Sequence, residues 1–202
     1  MSTARALCRT VAVAALCIQL ATTGCARQPA PALYLLDLPP APATAPIEAR
    51  ATAVGIGPIE LPPYLDRPQI VVRDDVHTLS APQAHMWAEP IADGVARVLL
   101  ASVARALGSD HVYHVPRRTP TPLDWRVAID ITRLDGTPGG SVTLDARWEL
   151  FSGDARQAMA THVSRIAQGV AGDDHAALVA AQAAALDRLG AEIAAVLGMR
   201  TD

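Results

Sequence analysis

The sequence predicts a single α+β domain in which a mostly antiparallel sheet carries two long helices on one face. Three observations predict it. Apolar residues alternate with polar ones through Trp125, Val127, Ile129 and Ile131. After Asp135-Gly136-Thr137-Pro138-Gly139-Gly140, the alternation resumes through Val142, Leu144, Ala146, Trp148 and Leu150. A period of two joined by such a turn marks antiparallel strands with one buried face. By contrast, Ile91, Val95, Val98, Leu99, Val103 and Leu107 repeat at helical spacing, and so do Leu178, Leu186, Leu189, Ile193 and Leu197. Strands in runs, with one central and one terminal helix, favour a sheet covered by both helices.

In chain order, Leu33-Tyr34-Leu35-Leu36-Asp37-Leu38 is apolar enough for a first strand at 34–38 or for a sticky part of a tether, and the strand is favoured. Val54 to Leu61 reads as a strand with glycines on one face and aliphatics on the other, Pro58 marking an edge or a bulge. Pro62 to Pro68 is a loop, and its prolines restrict the backbone. Gln69 to Arg73, a turn at Asp74-Asp75 and a return strand from Val76 to Leu79 make a candidate hairpin. Pro90 suits the first position of a helix that runs until Gly108. Val112 to Val115 forms a short strand, and Ala160 to Ala167 adds a third long strand after the Ser152-Gly153-Asp154 turn. Asp173 or Asp174 caps the last helix, which runs to Gly198 and whose many alanines suggest close packing.

The first 24 residues carry Arg5 and Arg9, an apolar run from Val11 to Leu20, and the small residues Ala21-Thr22-Thr23-Gly24 before Cys25. That is the layout of an export signal. The apolar run is far shorter than the roughly 20 residues that span a bilayer. Thr22-Thr23-Gly24-Cys25 resembles the lipobox of bacterial lipoproteins, with Thr22 where an aliphatic residue is usual. The resemblance implies cleavage before Cys25 and a diacylglyceryl thioether on its thiol. Cys8 and Cys17 lie in the removed segment, so Cys25 has no disulfide partner within the mature chain. Several acyl chains, at about 0.8 kcal/mol per methylene, anchor stably where one is marginal. Ala26 and Arg27 follow the cysteine, and the absence of Asp there implies outer-membrane sorting with the domain facing the periplasm.

The expected division is therefore an export signal at 1–24, a lipidated Pro-rich tether at 25–50 and a domain at 51–202. Six prolines between Pro29 and Pro46 favour extended polyproline II. At about 3.1 Å per residue, a tether ending at Leu33 spans roughly 25 Å and one ending at Arg50 roughly 75 Å.

All 17 basic residues are Arg, and the chain has no Lys and no Asn. A P-loop and Schiff-base or Ser-Lys catalysis are thereby excluded, since each needs a lysine amine. Loss of Arg5 and Arg9 leaves a mature net charge near −5, which offers no basic face to nucleic acid. His111 and His114, if in a strand, point to opposite faces, and His77, His85, His162 and His175 are scattered, so no metal site is expected. Gly55-x-Gly57 lacks the third glycine and following helix of a dinucleotide site. No Gly-x-Ser-x-Gly or His-Glu-x-x-His occurs, and neither catalytic residues nor a cofactor are expected. Asp130 and Asp145 suit a solvated sheet face. Asp66-Arg67 reads as a local ion pair or a functional one. Trp87 reads as a core contact at the helix entry before it reads as a partner contact.

One stretch is more specific. Gly57-Pro58-Ile59-Glu60-Leu61-Pro62-Pro63-Tyr64-Leu65-Asp66-Arg67-Pro68-Gln69-Ile70-Val71, with Trp87-Ala88-Glu89-Pro90 and the earlier Tyr34-Leu35-Leu36-Asp37, resembles the PqiC/YmbA family of auxiliary lipoproteins of MCE-type ABC transport systems. The resemblance covers essentially the whole mature chain. It implies a non-enzymatic lipoprotein of the outer membrane that works with an MCE-domain protein and, through it, an inner-membrane transporter, moving lipids and supporting envelope integrity. It further implies lipidation at Cys25 and a recognition surface at Tyr64, Leu65, Asp66, Arg67 and Trp87, although those loop residues equally suit a structural cover for the core. A periplasmic lipid-binding carrier and an envelope hydrolase are the alternatives. Assembly of several copies around a tubular partner is an expectation of the docking reading alone.

Overall fold

The structure, a computed structural model, describes residues 30–40, 52–116, 121–153 and 155–199. The expected export signal, Cys25, most of the tether and Asp154 lie outside the described residues. Nine strands and two α-helices are described: β1 (Ala32–Tyr34), β2 (Val54–Glu60), β3 (Val72–Arg73), β4 (Leu79–Ser80), β5 (His85–Trp87), α1 (Ile91–Leu107), β6 (Val112–His114), β7 (Trp125–Gly136), β8 (Ser141–Ser152), β9 (Ala160–Gly169) and α2 (His175–Gly198). A 3-10 turn spans Pro63–Leu65.

The main sheet has the order β6-β2-β7-β8-β9. β7 and β8 are antiparallel as their alternation predicts, with Ile129 opposite Trp148, and β9 continues the antiparallel run, with Trp148 opposite His162. β2, however, runs parallel to both neighbours, Val54 facing Val112 of β6 and Trp125 of β7. The sheet is thus mixed, which corrects the mostly antiparallel expectation. The physical reason is the crossover: α1 carries the chain from the end of β2 back towards its start, so β6 must enter parallel. The next connection returns again, so β7 enters on the other flank of β2 in the same direction.

Two small pairings stand outside that sheet. β1 pairs parallel with β5, Tyr34 opposite Trp87, so the first strand is Ala32–Tyr34 rather than 34–38. Beyond it Leu36 turns into the core at 1% exposure, and a Cβ on Gly94 of α1 would meet the Leu36 Cβ at 3.2 Å. β3 and β4 make the expected hairpin, but a shorter one, with Val76 exposed in the turn. Gln69 and Ile70 are drawn away to β5 instead, where the Ile70 N–H donates to the His85 carbonyl at 3.0 Å.

α1 begins after Pro90 and stops at Gly108, whose left-handed backbone (φ 61°) suits glycine. In α2 the Asp174 carboxylate accepts from the Ala177 N–H at 2.7 Å, a side-chain N-cap. The helices pack on each other, α1 also lying over β2 and β6 and α2 over β8 and β9. Val95, Leu99, Val103, Leu186, Leu189 and Ile193 meet Val127, Ile131, Leu144 and Leu150, all fully buried. Each such side chain contributes about 1.5–3 kcal/mol relative to exposure. On the opposite, open sheet face Asp130 lies across from Arg147 and Asp145 from Arg165.

The helix contact closes on Gly190. A Cβ there would stand 2.3 Å from Ser102 Oγ, a hydroxyl that donates towards the Asp187 carboxylate and carbonyl at 2.6 and 2.8 Å. A third seam joins β1, β5 and α2. The rings of His85 and His175 stack with centroids 3.6 Å apart and planes 5° from parallel, and the Tyr34 hydroxyl meets His85 Nδ1 at 2.9 Å. Burial, then the neighbouring His85, pushes the His175 pKa below 6.5, against the weaker opposing pull of Asp174.

Two outcomes follow for stability. Gly190→Ala overpacks the helix contact and lowers unfolding free energy by about 2 kcal/mol, most of it regained with Ser102→Gly, as read by urea denaturation. Because the folded chain resists protonating His175, its unfolded state binds more protons below pH 6.5. The seam's stability is present above that pH and lost as pH falls through the depressed value. His175→Phe flattens the dependence of melting temperature on pH between 7 and 5.

Candidate functional site

The site is built from a break in strand alternation. In β7, Ile131 faces Ala146, yet Arg133 faces Asp145 and Leu134 faces Leu144, so one extra residue is accommodated as a bulge. The bulge flips the strand's phase: Leu134 takes over the core face, and Asp135 points to the opposite side from Leu134. Asp135 therefore belongs to β7, not to the turn its neighbours suggested. Without the bulge its carboxyl would share the face of Ile131.

Asp135 is fully buried and completely partnered. It accepts from Tyr64 Oη at 2.6 Å, from Arg73 Nε and Nη2 at 2.5 and 2.9 Å, and from Arg133 Nε at 3.0 Å. Burial alone would raise its pKa; the donors from Arg73, Tyr64 and Arg133 outweigh burial and hold it below the usual 3.8. The same contact works on its partners. Burial, then donation to Asp135, pushes the Tyr64 phenol up to about 12, while the hydrogen bond to Asp135 raises the Arg73 guanidinium pKa. Asp135 thereby ties the Pro62–Pro68 loop through Tyr64, and the β3–β4 hairpin through Arg73, to the main sheet.

Beyond Tyr64 the loop tightens: the Leu65 N–H donates to the Pro62 carbonyl at 3.0 Å and the Asp66 N–H to the Pro63 carbonyl at 3.2 Å. Leu65 drops into the core at 1% exposure. Asp66 and Arg67 remain exposed on the rim. The Trp87 N–H donates to the Pro68 carbonyl at 2.7 Å, which holds the loop's end against β5. A groove of about 370 Å³ opens here, lined by Asp66, Arg67, Pro68, Trp87, Glu89, Pro90 and Ile91. Its far wall is braced from behind. Arg97 of α1 bonds Glu89 and also reaches Asp37 at 3.1 Å, which links the helix entry to the segment after β1.

Of the five residues expected on a recognition surface, the structure brings Asp66, Arg67 and Trp87 together at this groove. Leu65 is core, and Tyr64 spends its hydroxyl on Asp135. Among the described residues Asp66 and Arg67 form no ion pair, so the local pair expected between them is absent. The reason is geometric: the 3-10 turn closes on the backbone and leaves both side chains to solvent. Trp87, at 7% exposure, serves as core contact and groove floor at once. Sequence reasoning missed Asp135, Arg73 and Arg133. The available signal was the phase slip from Ile131 to Leu134, which an unbroken strand does not produce.

The chain is similar to several known proteins. The family described as ABC-type transport auxiliary lipoprotein component matches residues 34–194. Among solved structures, an uncharacterized protein is 15% identical over 84% of this chain and 99% of its own, with a TM-score of 0.67. A protein from Xanthomonas campestris is 20% identical over 81% of this chain and 92% of its own, with a TM-score of 0.62. At these identities the likeness concerns the fold. No curated protein matches.

Asp135→Asn removes the charge that three side chains converge on, with an expected loss of about 3 kcal/mol in denaturant unfolding. In the parent, the clamp's stability is present from above the unfolded carboxyl value of 3.8 up to the unfolded phenol value of 10, and declines outside that window. Absorbance titration at 295 nm should find one of the three tyrosines ionising near 12, and Asp135→Asn should move it towards 10.

Proposed function

Because the chain belongs to the family of ABC-type transport auxiliary lipoprotein components, we propose that it is a non-catalytic subunit that docks an MCE-domain protein of an intermembrane lipid transport system. In this reading residues 1–24 are the export signal, acylated Cys25 is the anchor, the residues between Cys25 and β1 are the tether, and the domain faces the periplasm from the outer membrane. The chain lacks the lysine of a P-loop, so energy for transport comes from the inner-membrane partner.

The observation that carries the proposal is convergence. Two stretches that carry the family resemblance, Tyr64 to Pro68 and Trp87 to Pro90, are some 20 residues apart and meet as the walls of one groove. Both walls are fixed before any partner arrives, one by Asp135 and the other by Arg97. Little ordering entropy is then lost on binding, which favours affinity. Asp66 and Arg67 supply unpaired rim charges of opposite sign, which set orientation and encounter rate more than raw affinity. Trp87, Pro68 and Ile91 supply an apolar floor of the kind that interface anchors fill.

The test is recovery from native membranes by gentle detergent extraction of a tagged full-length chain. An MCE-domain protein should co-purify with the parent. Arg67→Glu, which leaves the melting temperature unchanged, should cut that recovery at least tenfold. Recovery of the MCE protein no better than from untagged membranes would overturn the proposal.

A further inference from the structure

Leu33 and Leu35 are left unexplained by the groove. They are 65% and 49% exposed, among the most exposed large apolar side chains described, while Leu36 two positions on from Tyr34 is buried. Among the described residues β1 has one partner, β5: the Ala32 N–H donates to the Ala84 carbonyl and the Tyr34 carbonyl accepts from the Ala88 N–H. In a parallel pair this turns the backbone of the intervening Leu33 to the free edge. From Gln28 to Leu36 the sequence carries no charged residue, and Ala30, Pro31 and Ala32 are exposed as well. An uncharged, outward-facing aliphatic edge therefore precedes the body of the domain.

We infer that this edge, Pro31 to Leu35, rests in the lipid interface of the membrane that anchors the chain. The inference builds on the lipid anchor at Cys25 in the preceding proposal. Eight peptide steps separate Cys25 from Leu33, so covalent geometry allows at most about 28 Å between them whatever path the chain takes. Two leucines offer far less area than the roughly 1,000 Å² that a specific protein interface requires. A lipid surface demands no such area from a chain already attached to it, because attachment makes the second contact intramolecular. Interfacial binding then grows with apolar area and is opposed by charge, which the edge lacks until Asp37. The consequence is orientation. β1 lies alongside β5, whose Trp87 floors the groove, so seating β1 in the interface presents the groove at a fixed height beside the membrane.

The mature chain offers a selective test, since acylated Cys25 leaves no free thiol. Full-length Leu33→Cys and Leu35→Cys, with Val163→Cys on exposed β9 as the remote site, are isolated from membranes and labelled with an environment-sensitive thiol dye. Each is reconstituted into phosphatidylethanolamine/phosphatidylcholine vesicles containing brominated phosphatidylcholine. Blue-shifted emission and at least threefold stronger quenching at 33 and 35 than at 163 is the expected result. Equal quenching at all three sites overturns the inference, and so does a blue shift that grows with protein concentration without vesicles, since a second copy then covers the edge. Intact mass separates the two ideas: an acylated chain with no quenching at 33 removes only the interfacial contact, whereas an unmodified Cys25 removes the anchor and the contact together.

Discussion

A carboxylate with no access to water must be satisfied by protein alone, and Asp135 is such a group. Its four hydrogen bonds from three side chains are what allow a non-regular segment of chain, from Leu61 to the β3–β4 hairpin, to hold one position against the sheet. Few apolar contacts could do this for a loop interrupted by three prolines. A directional, charge-assisted network instead fixes both distance and angle. The groove wall at Asp66, Arg67 and Pro68 follows directly from where Tyr64 is held.

The order of strands serves the same end. Placing β2 between β6 and β7 pairs its first residues, Val54 to Ile56, on both sides, while Ile59 and Glu60, from which the loop leaves, stay paired to β7. α1 starts at the other wall of the groove and packs through Ser102 and Gly190 onto α2. Each wall is thus the end of an element rooted in the core, and the bond from the Trp87 N–H to the Pro68 carbonyl ties one to the other.

Much of this was legible in the sequence because it is periodic. β7, β8 and both helices announce themselves through spacing, β9 through the turn before it, and the cap, as Asp173 or Asp174, through its place before an apolar run. Strand direction was less legible, because alternation in Val54 to Leu61 is the same whether its neighbour runs up or down. β5 is three residues with no period to read, so β1 could be seen as a strand but not given its partner or its bounds. Four of the five candidate residues, Tyr64 to Arg67, are neighbours in sequence, yet their fates divide between clamp, core and groove, since a 3-10 turn sends successive side chains in different directions. Asp135 was hidden by the bulge, which converts a residue that looks like part of a turn into the anchor of the loop.

The parallel pairing of β1 with β5 also has a mechanical consequence. Tension arriving from upstream along β1 acts in the plane of its hydrogen bonds, so the bonds at Ala32 and Tyr34 are loaded together in shear, not peeled one after another. Leu36, seated against Gly94, lies just behind them as a stop, and Arg97 holds Asp37 to the same helix. Force on the leading end of the domain is passed through a three-residue strand into α1, whose Arg97 also braces Glu89 at the groove wall.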